Sequence, residues 1–120
     1  MGKKSLVLAF ALLAAWSQPA ASQTDFESGN AWLEKCSAPD PAMRYSCLAF
    51  VMGFTHGMAA QSAGSSTLKI YCQPGNVTYG HSRDIWVKYM QDNPAKRHEV
   101  GGVLLILSHM KAFPCPKGNQ

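Results

Sequence analysis

Four cysteines in a chain this short constrain its fold more than any other feature. Cys36, Cys47, Cys72 and Cys115 are even in number, and an even set in a small exported chain reads as a disulfide framework. Export is written at the start of the chain. Lys3 and Lys4 supply a charged region, Leu6 to Trp16 an apolar one, and Pro19 with Ala20, Ala21 and Ser22 a breaker followed by small residues. Together they form the three parts of a secretory signal peptide. The apolar run from Ser5 to Trp16 is shorter than the roughly 20 residues of a transmembrane helix. Cleavage after Ser22 is therefore expected, with no membrane span remaining.

Removing the first 22 of 120 residues leaves 98, residues 23–120. That is one small domain, on the low side for a self-sufficient core, so covalent staples matter. Without Lys3 and Lys4 the chain has nine Lys plus Arg against seven Asp plus Glu. The surplus is small, and only Lys96 and Arg97 are adjacent, so no phosphate-binding stripe forms and nucleic acid is not an expected partner.

The hydrophobic periodicity is helical. Thr24 with Glu27 fits a capping box, and Phe26, Gly29, Leu33 and Cys36 follow at spacings of three or four, predicting a short helix from Asp25 to Cys36. Asp40-Pro41 places a capping acceptor before a proline suited to a first helical turn. The helix it opens carries Met43, Cys47, Phe50, Val51, Phe54 and Met58 on one face, with Tyr45, Leu48 and Met52 beside it, which predicts extensive burial. Gly53 and Gly57 either admit a close neighbouring backbone or are merely tolerated. Gln61 to Thr67 is rich in Ser and Gly and reads as a loop, and Leu68 to Cys72 as a brief extended segment.

After a turn at Gln73–Asn76, Thr78 caps a third helix with Ile85, Trp86, Tyr89 and Met90 inward and Asp84 paired to Lys88. Asn93-Pro94 repeats the cap-then-proline device, so a fourth helix is expected from Pro94 to Ala112, stopped by Pro114. Its core is Val103 to Leu107. The fold class expected is all-α: a compact bundle of about four helices in two hairpins, stapled by disulfides.

Three pairings of four cysteines are formally open. Bridged α-carbons lie within about 7 Å, and two pairs occupy the ends of local hairpins: Cys36 with Cys47, and Cys72 with Cys115. Their loops, of roughly a dozen and roughly forty residues, correspond to about 3 and about 4 kcal/mol in the chain-entropy treatment. Zinc ligation is disfavoured, because the cysteines are separated by 10, 24 and 42 residues where such sites use close pairs.

Catalytic and cofactor chemistry are also not expected. His56, His81, His98 and His109 stand in no recognised catalytic context, and each has a plainer role on a helix or surface. Asn76-Val77-Thr78 forms a glycosylation sequon, but Thr78 is already required as a helix cap.

The set Tyr71-Cys72-Gln73-Pro74, Val77-Thr78, Trp86 to Tyr89, Asn93-Pro94, Arg97-His98 and Ala112-Phe113-Pro114-Cys115 resembles the Rap/Tai family of type VI secretion immunity proteins. Phe26, Gly29, Leu33 and Cys36, then Cys47, Phe50, Gly53 and Gly57, are similar to that family's first half. The resemblance implies a helical, disulfide-bonded periplasmic protein, often a homodimer, that binds and blocks a peptidoglycan-degrading effector. This chain departs from the pattern at His56, where an acidic residue is common, at His81, where Gln is common, and at Gly101-Gly102, where alanines are usual.

The functional expectation is thus a periplasmic immunity protein of the amidase-blocking class, with a secreted toxin as protein partner. Exposed loops on rigid scaffolds often carry binding, which nominates Gln61, Ser62, Ser65 and Ser66. The alternative is a periplasmic acid-stress chaperone of the HdeA type, also small, helical and disulfide-bonded. A small hydrolase would have to use His56 or His98.

Overall fold

The computed structural model describes residues 27–64 and 69–117; the signal segment, Thr24 and Phe26 lie outside them. Four helices form the body: α1 (Gly29–Ser37), α2 (Pro41–Gly64), α3 (Tyr79–Asp92) and α4 (Gly101–Ala112). The all-α fold expected from periodicity is the one observed. α1 packs mainly on α2, and α3 on α4, while α3 also touches α1 and α2. No strand is present among the described residues, apart from one antiparallel bridge between Ser28 and Val100.

The first helix starts later than expected. Its N-cap is Ser28, whose hydroxyl accepts from Ala31 N at 3.3 Å, and Glu27 stands before the helix. The backbone at 27–30 has another partner, which explains the shift. Gly29 N donates to Glu99 O at 2.9 Å, Asn30 N to Arg97 O at 2.9 Å, and Gly101 N to Glu27 O at 2.7 Å.

The same pairing delays the last helix. Pro94–Lys96 forms a single 3-10 turn, and α4 starts at Gly101 rather than Pro94 because Arg97 to Gly101 is engaged with the entry to α1. Both glycines are required there. A Cβ on Gly101 would overlap the Trp32 indole, and one on Gly29 would overlap Leu104 and approach Arg97 O at 3.1 Å. The close approach that the sequence suggested for Gly53 and Gly57 is made at Gly29 and Gly101 instead; around Gly53 and Gly57 there is open space.

Asp40 opens α2 as expected, accepting from Ala42 N at 3.1 Å, with Pro41 as the first helical residue. The burial expected for this helix is not found. Only Cys47 and Val51 are buried, and Tyr45 is 70% exposed. Length explains the shortfall beyond Val51. Twenty-four residues extend about 36 Å, twice the span of the twelve-residue α4, so α2 outruns the helices available to cover it.

The core gathers around Trp86, which is fully buried with Met90, Leu104, Leu105 and Val51. Trp32 stacks on Phe50 at 4.2 Å between ring centroids, and Phe50 lies 5.5 Å from Trp86. Offset aromatic contacts of this kind add about 0.5–1.5 kcal/mol each to the burial of apolar area.

On α3 the buried stripe is Ser82, Trp86 and Met90, with Ile85 and Tyr89 half-buried. Thr78 caps this helix through His81 N at 3.1 Å. The expected Asp84–Lys88 pair is replaced by two others. Arg83, next to Asp84, donates to it through both Nε and Nη2, at 2.9 and 2.7 Å, while Lys88 reaches Asp92 at 3.0 Å.

Cys36 is bonded to Cys47, with Cα atoms 5.2 Å apart, and Cys72 to Cys115, with Cα atoms 4.8 Å apart. The first bond joins the end of α1 to the second turn of α2. The second bond ties the segment before α3 to the chain leaving α4. Cys72 N also donates to Phe113 O at 2.9 Å.

Candidate functional site

Helix α2 continues through Gln61 and Ser62 to Gly64, so the expected loop begins at least four residues later than the sequence suggested. Helical backbone bonds persist there despite the weak propensities of Ser and Gly. Ser62 supplements them by donating its hydroxyl to Met58 O at 3.0 Å. Ser65 and Ser66 lie outside the described residues, as does Leu68. Lys69 to Cys72, the described part of the segment expected to be extended, forms no strand.

Two hollows flank the overhanging half of α2. One is a shallow apolar groove of about 460 Å3 along Ala49, Phe50, Gly53, Phe54, Gly57 and Met58. The other, of about 410 Å3, lies between α2 and the segment from Lys69 to Tyr79. Thr55, His56, Ala59 and Ser62 contribute one wall; Lys69, Gln73 and Tyr79 are on the other. His56 Nε2 and Tyr79 Oη are 2.5 Å apart across it, their rings meeting edge to face at 5.6 Å.

The segment wall is anchored rather than loose. Its Cys72 is bonded to Cys115, Val77 N donates to Pro74 O at 3.3 Å, and Tyr79 is the first residue of α3. The α2 wall is positioned by its own helical continuity and by the His56–Tyr79 contact. None of its residues beyond Val51 is buried.

His56 was expected within a buried helix, but it is exposed because α2 overhangs. His109 shows the reverse. A place near the end of α4 favours a cation through the helix dipole, yet His109 is fully buried. Nδ1 lies 3.0 Å from Leu105 O and 3.1 Å from Ser108 Oγ, and Nε2 has no hydrogen-bond partner. Burial lowers the pKa of His109, opposed by the Leu105 carbonyl and assisted by the charge of His81. Nearby Tyr71, whose ring is 5.3 Å away, has its pKa raised by burial.

Ser108 and His109 do not form a nucleophile and base. The serine hydroxyl donates to Leu105 O at 2.7 Å, and both side chains are sealed from solvent, so no substrate atom can reach Oγ. Among the described residues no cluster of three or more His, Cys, Asp or Glu could hold a metal ion. No helix of the described residues is long and apolar enough to cross a membrane.

Sequence reasoning nominated the end of α2 but missed the hollow beside it. His56 and Tyr79 are 23 positions apart, and only the tertiary fold brings them together. One signal was available: no Asp or Glu occurs from residue 41 to residue 83.

Comparison with known proteins places this helical unit. The family model of the Rap1a immunity proteins matches residues 28–115, a span that includes all four helices and all four cysteines. No curated protein and no solved structure matches the chain.

Proposed function

This chain belongs to the family of Rap1a immunity proteins, and on that footing we propose that it protects the cell that makes it from a type VI secretion effector. Residues 1–22 direct its export and are removed in the process; the mature chain acts in the periplasm and blocks an effector of the peptidoglycan-degrading amidase class by occluding its active site. It works as a binder and not as an enzyme. The observation that carries this reading is the family match across residues 28–115, from the cap of α1 to the last cysteine.

The effector-facing edge is the end of α2. Gln61 is exposed and Ser62 half-buried on the overhanging part of that helix, and Ser65 and Ser66 follow it in the chain. A rigid helical body that presents a polar projection suits insertion into a catalytic cleft.

The test is survival. Cells whose periplasm receives a type VI effector of the peptidoglycan amidase class that this chain neutralises should lyse without the chain and grow with it. A form lacking residues 1–22 should give no protection, and Gln61→Arg combined with Ser65→Arg should reduce it. Equal lysis with and without the full chain would overturn the assignment.

A further inference from the structure

The hollow between α2 and the segment from Lys69 to Tyr79 combines one-sided charge with fixed geometry. Its lining holds no carboxylate, and Lys69 is its one residue of fixed formal charge. The absence of acids extends along the chain, since Asp40 and Asp84 are consecutive acidic residues with 43 non-acidic positions between them. Asp84 itself is engaged by Arg83 at 2.7 Å. The ion pairs among the described residues are Arg83–Asp84 and Lys88–Asp92, so neither uses the Lys69 ammonium.

The neutral polar groups divide. Thr55 donates its hydroxyl to Val51 O at 2.8 Å, and Ser62 donates to Met58 O, so these two have only lone pairs left and give an anion no support; the donor comes from the His56–Tyr79 pair. In neutral form the imidazole of His56 and the phenol of Tyr79 carry two exchangeable protons, and their mutual 2.5 Å bond uses one. The other is left for a ligand acceptor. Depending on the imidazole tautomer, it is offered from His56 Nδ1 or from Tyr79 Oη. The opposing contribution is the negative end of the α2 dipole, which fades within the last turn. His56 is eight residues before Gly64, about 12 Å back along the axis.

We propose that this cleft receives a carboxylate-bearing loop of the partner protein, its carboxylate paired with Lys69 and accepting a hydrogen bond from the spare donor of the His56–Tyr79 pair. The partner's identity as an effector rests on the immunity reading; the preference for an acidic segment rests on the cleft. Charge complementarity of this kind raises association rate and selects among partners. The disulfide-anchored wall means that little ordering is needed on binding.

Two measurements separate the cleft from the immunity reading. In the first, the oxidised, 15N-labelled chain is titrated with a hexaglutamate peptide at low salt, with hexalysine as control. Shifts should centre on His56, Lys69 and Tyr79, disappear in 0.5 M salt and be lost in Lys69→Glu, a change at an exposed position. Shifts that are absent, or as large with hexalysine, or unchanged in Lys69→Glu, overturn the acidic preference.

In the second, a type VI effector of the peptidoglycan amidase class, chosen by the survival test above, is titrated by calorimetry. Lys69→Glu should weaken binding at least tenfold and Tyr79→Phe several-fold, with Lys96→Glu, on the 3-10 turn, unchanged. Wild-type binding that ignores both cleft changes removes the cleft from the effector interface and leaves the immunity reading standing. If the effector fails to bind the wild-type chain, the immunity reading falls, and the peptide titration still decides the cleft.

Discussion

A methyl group on Gly101 would occupy the space of the Trp32 indole. The start of α4 can therefore approach α1 only because residue 101 has no side chain. Gly101→Ala should destabilise the fold by about 1–3 kcal/mol, the usual cost of overpacking a dense core. Gly53→Ala meets open space on a helix and should stabilise by about 0.5–1 kcal/mol. Urea melts of the two variants test the contrast, which would be absent if both shifted stability in the same direction.

Arg97 stitches the corner between α3 and α4. Its Nε donates to Met90 O at 2.7 Å and its Nη2 to Gln91 O at 3.1 Å, so one guanidinium satisfies two carbonyls at the end of α3 and complements its dipole. Arg97→Ala should cost about 1.5–3 kcal/mol, the range for hydrogen bonds to a charged group. Arg97→Lys should recover less than half of that, because an ammonium lacks the planar fork. Thermal melts of the pair provide the check.

The two disulfides differ in access. Cys47 is fully buried and Cys36 is 9% exposed, whereas Cys72 and Cys115 are half-buried. Limited dithiothreitol should open Cys72–Cys115 first, as read by alkylation and peptide mapping. Losing that bond, which spans 43 positions, should remove about 4 kcal/mol; losing Cys36–Cys47, which spans 11, should remove about 3 kcal/mol.

His109 makes the fold sensitive to acid. Its folded pKa lies below that of the unfolded chain, near 6.5 for an unperturbed imidazole. Above that pH both states are neutral at this site and it adds no pH dependence. As pH falls through 6.5, the unfolded chain gains a proton that the buried ring declines, so stability drops until the folded pKa is reached. The slope can approach about 1.4 kcal/mol per pH unit. His109→Gln should flatten the acid limb in denaturant melts between pH 7.5 and pH 5. A limb of unchanged steepness would place the sensitivity elsewhere.

What the sequence made legible was local. Asp40-Pro41 and Thr78 mark helix starts because capping needs only neighbouring residues, and Pro94 and Pro114 mark interruptions for the same reason. Periodicity identified Val51, Trp86, Met90 and Leu104 as core because one helical face suffices to define them. Errors arose where distant backbone intervened. Gly29 and Gly101 read as ordinary small residues until the contacts between 27–30 and 97–101 brought Trp32 and Leu104 against them. The apolar positions of α2 predicted burial, but a pattern on one helix does not reveal how far its neighbours extend. Gly53 and Gly57 therefore stay uncovered, and Tyr45, two positions before Cys47, stays exposed because it lies on the opposite face of the helix. For the candidate site, Ser62 was in view from the chain alone, whereas the His56–Tyr79 contact required two separate elements to meet.

The pairing of residues 27–30 with 97–101 also sets an order of assembly for a chain made from its N-terminus. The Cys36–Cys47 unit can close once residue 47 has appeared. At that stage Gly29 N lacks Glu99 O, and Trp32 lacks both Trp86 and the space left by Gly101. The early unit is thus covalently closed yet has one aromatic side unfilled, and it waits more than fifty residues for the part that seals it. A chain stopped before Trp86 should be a sticky, half-finished hairpin, prone to capture by other unfolded chains or by chaperones.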